Sequence, residues 1–211
     1  EVLERLAASL LASPIAGGPH CATALLAPHA GWVYSGAIAG AVYASVIVPS
    51  RVILVGPNHT GLGPPLSVWD RGAWLIPGAR FEVDEEMAAA LKESCPELIP
   101  DVSAHRYEHC LEVQLGFLKM RRDDVRITPI IVGTTRLETL TALGEGIARA
   151  VGASGRQVLI VISSDMTHYE PAEVTERKDR LAVAAMEGLD PEELHRVVNR
   201  EKISMCGFAP A

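Results

Sequence analysis

The sequence predicts an α/β protein with three layers, in which helices cover both faces of a mostly parallel or mixed central sheet. Four short runs are continuously apolar and rich in β-branched residues, as is typical of strands buried on both faces. Longer stretches with helical periodicity lie between and after these runs, so strands and helices alternate along the chain. Its 211 residues suit a single domain over residues 1–211.

The predicted elements follow one another in a regular order. The strands are CATALLAP, RVILVGPN, VRITPIIVGT and RQVLIVISSD. The helices are EVLERLAASLLASP, SGAIAGAVYASV, DEEMAAALKES, HCLEVQLGFLKMRR, LETLTALGEGIARAVG, ERKDRLAVAAMEGL and PEELHRVVNR. Asp84 and Asp190 stand where N-caps are expected, and Pro191 suits a first helical turn. The segment SVWDRGAWLIPGARFEVD predicts a loop with one or two short strands.

Composition excludes several classes of function. The chain has 19 Lys and Arg against 26 Asp and Glu, which argues against a broad nucleic-acid surface. No charged side chain occurs between Arg5 and Arg51, but Pro, Gly and His interrupt this stretch, so it predicts a buried helix and no membrane span. The small residues Gly36 and Gly40 would let that helix pack closely on a sheet. Four widely spaced cysteines without a CxxC pair favour a reduced, cytoplasmic setting.

Polar residues that could bind ligands follow three of the predicted strands. His29 follows the first strand, His59 the second, and Asp165 and His168 follow the last. Ligands of open α/β sheets bind at the carboxyl ends of the strands. A single histidine after a strand is usually structural, but three strand ends with imidazoles favour a shared site.

Three further features allow two interpretations each. His109 and Glu112 share a helix face, either at the edge of a pocket or as a solvated pair. Asp165 could orient the imidazole of His168, or could bond the backbone of a turn. Cys206 alone predicts only a small buried hydrophobe.

Five motifs resemble the Memo family and occur in the same order: APHAGWVYSG, VGPNHTG, EHCLEVQL, VISSDMTHY and MCGF. The resemblance covers essentially the whole chain. Relative to the family, a short N-terminal stretch and a longer C-terminal region are expected to be missing. Memo proteins resemble the class III extradiol dioxygenases of the LigB type, so the resemblance implies a LigB-like fold.

The resemblance also implies roles for individual residues. The metal ligands would be His29, His59 and Cys206, and pocket residues would include His109, Asp165 and His168. In the dioxygenases, two histidines and a glutamate hold Fe(II), and a histidine equivalent in role to His168 acts as acid/base. Here a thiolate takes the place of the carboxylate. A thiolate is softer and oxidisable, and it favours copper(I), zinc or a redox-active iron.

The expected function is therefore that of a metal-binding protein, an iron- or copper-dependent oxidoreductase related to extradiol dioxygenases. Fe2+ is the first expectation for the metal, copper the second and zinc the third. His168, oriented by Asp165, would move a proton to or from the substrate. His109 would donate a hydrogen bond to the bound group, and Glu112 would support His109.

Two other functions fit the same residues. The chain could be a non-enzymatic scaffold that binds metal or a peptide in this pocket, since fold does not fix function. A zinc hydrolase ranks last, because only Asp165 or Glu112 could serve as its base. The expected partners are a small-molecule or peptide ligand, with a functional link to a radical-SAM protein and an AMMECR1-like protein implied by the resemblance.

Overall fold

The computed structural model describes residues 18–211. The helix predicted for residues 1–14 lies outside this range.

The described residues form an eight-stranded mixed sheet with the order β1-β8-β2-β7-β3-β6 and a β4–β5 hairpin attached to β7. The strands are β1 (Ala24–Ala27), β2 (Arg51–Pro57), β3 (Leu66–Val68), β4 (Ala73–Ile76), β5 (Ala79–Val83), β6 (Ile99–Pro100), β7 (Arg126–Val132) and β8 (Val158–Ser163). Strands β1, β8, β2 and β7 are parallel, whereas β3 runs antiparallel to β7. The mixed sheet agrees with the predicted fold class.

Helices connect the strands and flank the sheet. They are α1 (Trp32–Ala44), α2 (Glu85–Ser94), α3 (Ser103–Arg106), α4 (Glu112–Arg121), α5 (Leu137–Ser154), α6 (Ala172–Glu187) and α7 (Pro191–Glu201). Both predicted N-caps are confirmed, since Asp84 accepts from the amide of Met87 at 3.2 Å and Asp190 from that of Glu193 at 2.8 Å.

The apolar strands separate two layers of core. On one face of the sheet, Leu54 belongs to a cluster with Tyr43 of α1 and with α4. On the other face, Ile53 packs in a cluster with Leu91 of α2 and Ile147 of α5. Successive residues of β2 thus point into opposite layers, which explains why its sequence is continuously apolar. The three-layer prediction is confirmed.

Helix α1 lies within the long uncharged stretch. Gly36 and Gly40 lie on its buried face, as predicted. Of the helices in residues 18–211, none combines the length and apolar character that a membrane crossing requires.

The structure differs from the sequence prediction in three places. The segment after β2 forms three short strands, because β3 and β5 both pair with β7 and β4 pairs with β5. Strand β6 and helix α3 were not predicted. The helix expected from His109 begins only at Glu112, because the carboxylate of Glu108 binds the amides of His109 and Cys110 and holds them in a turn.

The strand order brings three loops to one edge of the sheet. Strand β8 lies between β1 and β2, with Ala27 in register with Ser163. His29, His59 and Asp165 each lie two positions beyond the last residue of their strand. Because these strands are parallel neighbours, the three loops meet at the carboxyl edge.

Candidate metal centre

The loop after β1 carries His29 into the interior, where only 1% of the residue is exposed. Asp165 Oδ1 accepts hydrogen bonds from the amides of His29 at 2.8 Å and Ala30 at 3.1 Å. Gly31 follows with a φ of 110°, a conformation that glycine adopts without strain, and the chain then enters α1. The Nδ1 atom of His29 lies 2.9 Å from Ser163 Oγ.

The loop after β2 carries His59, and a buried carboxylate holds it. Glu108 Oε2 accepts from the amide of His59 at 2.7 Å, and Oε1 lies 2.9 Å from Nδ1 of the same residue. A carboxylate only accepts, so Nδ1 carries a proton and Nε2 is left to face the site. Burial would raise the pKa of Glu108, but hydrogen bonds from the His59 ring and from backbone amides outweigh it and lower the pKa to about 2.

Cys206 reaches the same point from the turn after α7. Its Sγ lies 3.3 Å from Nε2 of His29 and accepts a hydrogen bond from the amide of Asp165 at 3.2 Å. The next residue, Gly207, packs so tightly on β8 that a Cβ there would lie 2.4 Å from Cβ of Ser164. The absence of that side chain lets the turn press against the strand end and brings the sulfur to the histidines.

The structure thus places the three expected ligands around one point. The ligand atoms of His29, His59 and Cys206 all lie within 4.8 Å of one another. Ligands bonded to one metal ion at ~2.0–2.3 Å are separated from each other by roughly 3–4 Å. The spacing and the donor types of this trio fit a transition-metal ion.

The hydrogen bonds around Cys206 favour the thiolate, which is the form of cysteine that binds metals. Burial would raise the pKa of Cys206, but hydrogen bonds with His29 and His59 outweigh it and lower the pKa to about 6. Hydrogen bonds with Cys206 and then Glu108 raise the pKa of His59 to about 10, against the opposing effect of burial. At neutral pH the metal-free site therefore holds a thiolate beside an imidazolium.

Two overlapping groups have a similar spacing but fit a metal less well. One consists of His59, Glu108 and Cys110. Burial raises the pKa of the Cys110 thiol, which donates to the carbonyl of Pro57, and Glu108 is already engaged by three backbone amides. The other, Asp165 with His168 and Cys206, shares its sulfur with the trio.

His168 lies at this site, but its orienting partner is a carbonyl. Its Nδ1 lies 2.8 Å from Ser204 O, and its amide donates to Ser204 Oγ at 2.7 Å. Asp165, the partner expected from the sequence, instead holds the His29 loop through its Oδ1 atom. The carbonyl performs the expected task, because it accepts a hydrogen bond from Nδ1–H and leaves Nε2 free.

His109 closes another side of the site. Its ring centroid lies 5.6 Å from that of His29 and 5.3 Å from that of His59. Glu108 Oε1 lies 3.4 Å from its Nδ1. Within residues 18–211, the side chain of Glu112 forms no hydrogen bond or ion pair. The support of His109 by Glu112 stays a prediction.

A groove of about 290 Å3 lies beside His109, which is one of its lining residues. Its lining is mostly apolar and comprises Trp32, Ile76, Pro77, His109, Glu112, Val113 and Gly116. The indole of Trp32 is fixed there, since its Nε1 donates to the carbonyl of Val113 at 3.1 Å and its ring fills the space beside Gly116.

Several residues that hold the site had no predicted role. Glu108, Ser163, Gln114 and Ser204 contact the site histidines or their partners. The only sequence signal is the position of Glu108 directly before His109. A serine or glutamine that acts on a distant residue leaves no local sequence pattern, so the others could be found only in the folded chain.

Comparison with known proteins identifies the family. A family model described as "Memo-like protein" matches residues 2–211. The chain belongs to the Memo family. A "MEMO1 family protein" of Aquifex aeolicus is 43% identical over 189 residues, which cover 89% of this chain and 70% of the relative. Relatives with the same family name in Pyrobaculum aerophilum and Methanosarcina barkeri are 38% and 42% identical and are covered over 67% and 68% of their length.

The chain thus spans about two thirds of the Memo-family relatives named above. The Memo motifs that the sequence analysis singled out supply the residues at this edge of the sheet, namely His29, His59, His109, Asp165, His168 and Cys206.

Proposed function

We propose that this Memo-family chain binds one transition-metal ion through His29, His59 and Cys206 and acts as a metal-dependent oxidoreductase related to extradiol dioxygenases. The observation that carries the proposal is the approach of two imidazoles and one thiolate to within 4.8 Å of one another. The three side chains come from separate loops, and the sulfur is poised as a thiolate with a pKa of about 6.

The donor set suits several transition metals. We assign Fe2+ first, copper second and zinc third, because a mixed imidazole and thiolate set accepts all three and the related dioxygenases use iron. A bound iron or copper ion would supply one-electron redox chemistry to a substrate. His59 and His109 are exposed to solvent on one side of the site, whereas His29 is buried.

The neighbouring residues would handle protons and orientation. His168 is assigned the acid/base role, since Ser204 O engages its Nδ1 and leaves Nε2 to exchange a proton with the substrate. His109 would donate a hydrogen bond to the substrate, with Glu112 as its predicted support. The groove along Trp32, Ile76 and Pro77 would hold an apolar part of the substrate.

Elemental mass spectrometry of purified protein tests the metal assignment. Roughly one iron or copper ion per chain is expected in the unaltered protein and much less in His29→Ala. His195→Ala is the matched control, because this histidine is partly exposed and lies 2.9 Å from the carbonyl oxygen of Thr135, outside the trio. Full metal content in His29→Ala would refute the assignment.

Oxygen consumption separates an enzyme from a scaffold. We would supply the Fe2+-loaded protein with a panel of catechols and record oxygen uptake, with Cys206→Ala as the control. Uptake that depends on Cys206 supports the oxidoreductase. Bound metal without uptake across the panel, together with tight peptide binding, would favour the non-enzymatic scaffold instead.

A further inference from the structure

A chain of buried polar groups leads away from His29 into the core. Tyr43 OH donates to Gln114 Oε1 at 3.1 Å, Gln114 Nε2 donates to Ser163 Oγ at 2.9 Å, and Ser163 Oγ lies 2.9 Å from Nδ1 of His29. No more than 1% of any of these four residues is exposed. Each N–H and O–H of these four side chains must therefore donate its hydrogen bond to another protein group, since burial leaves little access to water.

Two backbone carbonyls determine the direction of every bond in this chain. Gln114 Nε2 also lies 3.1 Å from the carbonyl of Pro28, which only accepts, so the amide nitrogen must be the group that faces it. The second proton of that nitrogen then points to Ser163 Oγ. At the far end, burial raises the pKa of Tyr43, whose hydroxyl keeps its proton and donates to Oε1.

The hydroxyl of Ser163 can donate only one hydrogen bond, and it donates this bond to the carbonyl of Cys110. Ser163 Oγ lies 2.7 Å from that carbonyl oxygen, a contact that is a hydrogen bond only if the serine donates. Ser163 must then accept from both of its other neighbours, Gln114 and His29. The Nδ1 atom of His29 is left with one role, that of donor.

The geometry points to Ser163 as a positioning residue that holds neutral His29 in the tautomer with the proton on Nδ1, so that the Nε2 lone pair faces Cys206 and His59. Ser163 acts only through His29. Its partner Gln114 supports this by occupying the second acceptor site of the hydroxyl.

This arrangement works against a nearby charge. Asp165 Oδ2 lies 3.7 Å from Nε2 of His29 and would attract a proton to that nitrogen, which is the wrong tautomer for a metal ligand. The serine hydroxyl thus opposes the attraction of the Asp165 carboxylate and decides which nitrogen carries the proton. The use of the tautomer rests on the proposed metal binding, but the proton on Nδ1 is set by Ser163, Gln114 and the Cys110 carbonyl without any metal.

Nitrogen-15 NMR of the imidazoles tests the tautomer without any metal. We would use the Cys206→Ala chain, which removes the thiolate beside Nε2, at a pH where the two nitrogen shifts of His29 show a neutral ring. The proton is expected on Nδ1 in Cys206→Ala and on Nε2 in Cys206→Ala with Ser163→Ala. A proton on Nε2 in the Cys206→Ala chain overturns the inference, whether or not the double variant folds.

Binding of Co2+ alone then tests the consequence. Ser163→Ala is expected to raise the dissociation constant for Co2+ by roughly 10–100-fold. Ser67→Ala is the matched control, since it also removes a buried strand hydroxyl, one that bonds the carbonyl of Ile131. Equal affinities of the two variants would contradict the role of Ser163. If the NMR shows the proton on Nδ1 but the unaltered chain binds no Co2+, the proposed function is refuted and the tautomer assignment stands.

Discussion

The Sγ atom of Cys206 lies 3.3 Å from Nε2 of His29, although 177 positions separate the two residues in the chain. Asp165 connects them, because its amide donates to the sulfur and its carboxylate accepts from the amide of His29. The end of β8 thus fixes the relative position of the two groups. Four predictions follow from the geometry of this site.

The Cys206 thiol should react with iodoacetamide at unusually low pH. Its lowered pKa of about 6 means that the thiolate is present above that pH and is lost as pH falls through it. Mass spectrometry of the metal-free protein should show a labelling rate at Cys206 with a midpoint near this value. The exposed Cys21 serves as the internal comparison. His59→Ala should move the midpoint upwards, and a midpoint near the ordinary thiol value in the unaltered protein would contradict the prediction.

Zinc binding should release protons in a pH-dependent amount. At pH 7 Cys206 is already ionised, whereas His59, with a pKa of about 10, must lose a proton to bind, so about one proton per Zn2+ is expected. At pH 5 the thiol is protonated as well, and the release should approach about two. A pH indicator in weak buffer measures both values. No release at pH 7 would contradict a protonated His59 that gives up its proton to bind the ion.

Glu108→Gln should weaken metal binding. Oε1 of the Glu108 carboxylate lies 2.9 Å from Nδ1 of His59. The neutral side chain of glutamine would reduce the basicity of the ring, and its NH2 group would place donors opposite backbone N–H groups that need an acceptor. The dissociation constant for Co2+, measured by competition with a chelator, should rise roughly 10–100-fold. Asp84→Asn is the control, because it makes the same chemical change at a buried carboxylate beside Arg51. Equal Co2+ affinities of the two variants would argue against this role.

Gly207→Ala should destabilise the fold and disturb the site together. A Cβ at this position would lie 2.4 Å from Cβ of Ser164 and 2.7 Å from the carbonyl oxygen of Ser163, so the Cys206 turn must move. Urea denaturation should show a loss of ~1–3 kcal/mol in the free energy of unfolding, and Co2+ affinity should fall. Gly152→Ala in α5 meets open space and should instead add up to about 1 kcal/mol. Unchanged stability in Gly207→Ala would show that the turn adapts.

The sequence predicted the layers of the fold because its signals are local. The apolar runs and the caps at Asp84 and Asp190 need only neighbouring residues to be recognised, and the structure contains them. The hairpin formed by β4 and β5 was underestimated, because its strands are stabilised by pairing with each other and with the distant β7.

The site was predictable in part. The positions of His29 and His59 after buried strands indicated a site at the carboxyl edge. Cys206 was identified as a ligand only through the resemblance of the chain to the Memo family. The partners of these side chains, Glu108 and Ser163, were beyond sequence reasoning, because each acts across more than 45 positions of the chain.

By itself, the sequence determined which segments become strands and helices and which residues stand at their ends. Only the tertiary structure decided that β8 lies between β1 and β2 and that the turn at Gly207 packs on β8. It also decided that Nδ1 of His29 faces Ser163, whose hydroxyl donates its hydrogen bond to the carbonyl of Cys110. The physical reason is that periodicity and capping depend on neighbours in the chain, whereas convergence and proton placement depend on contacts that exist only after the chain has folded.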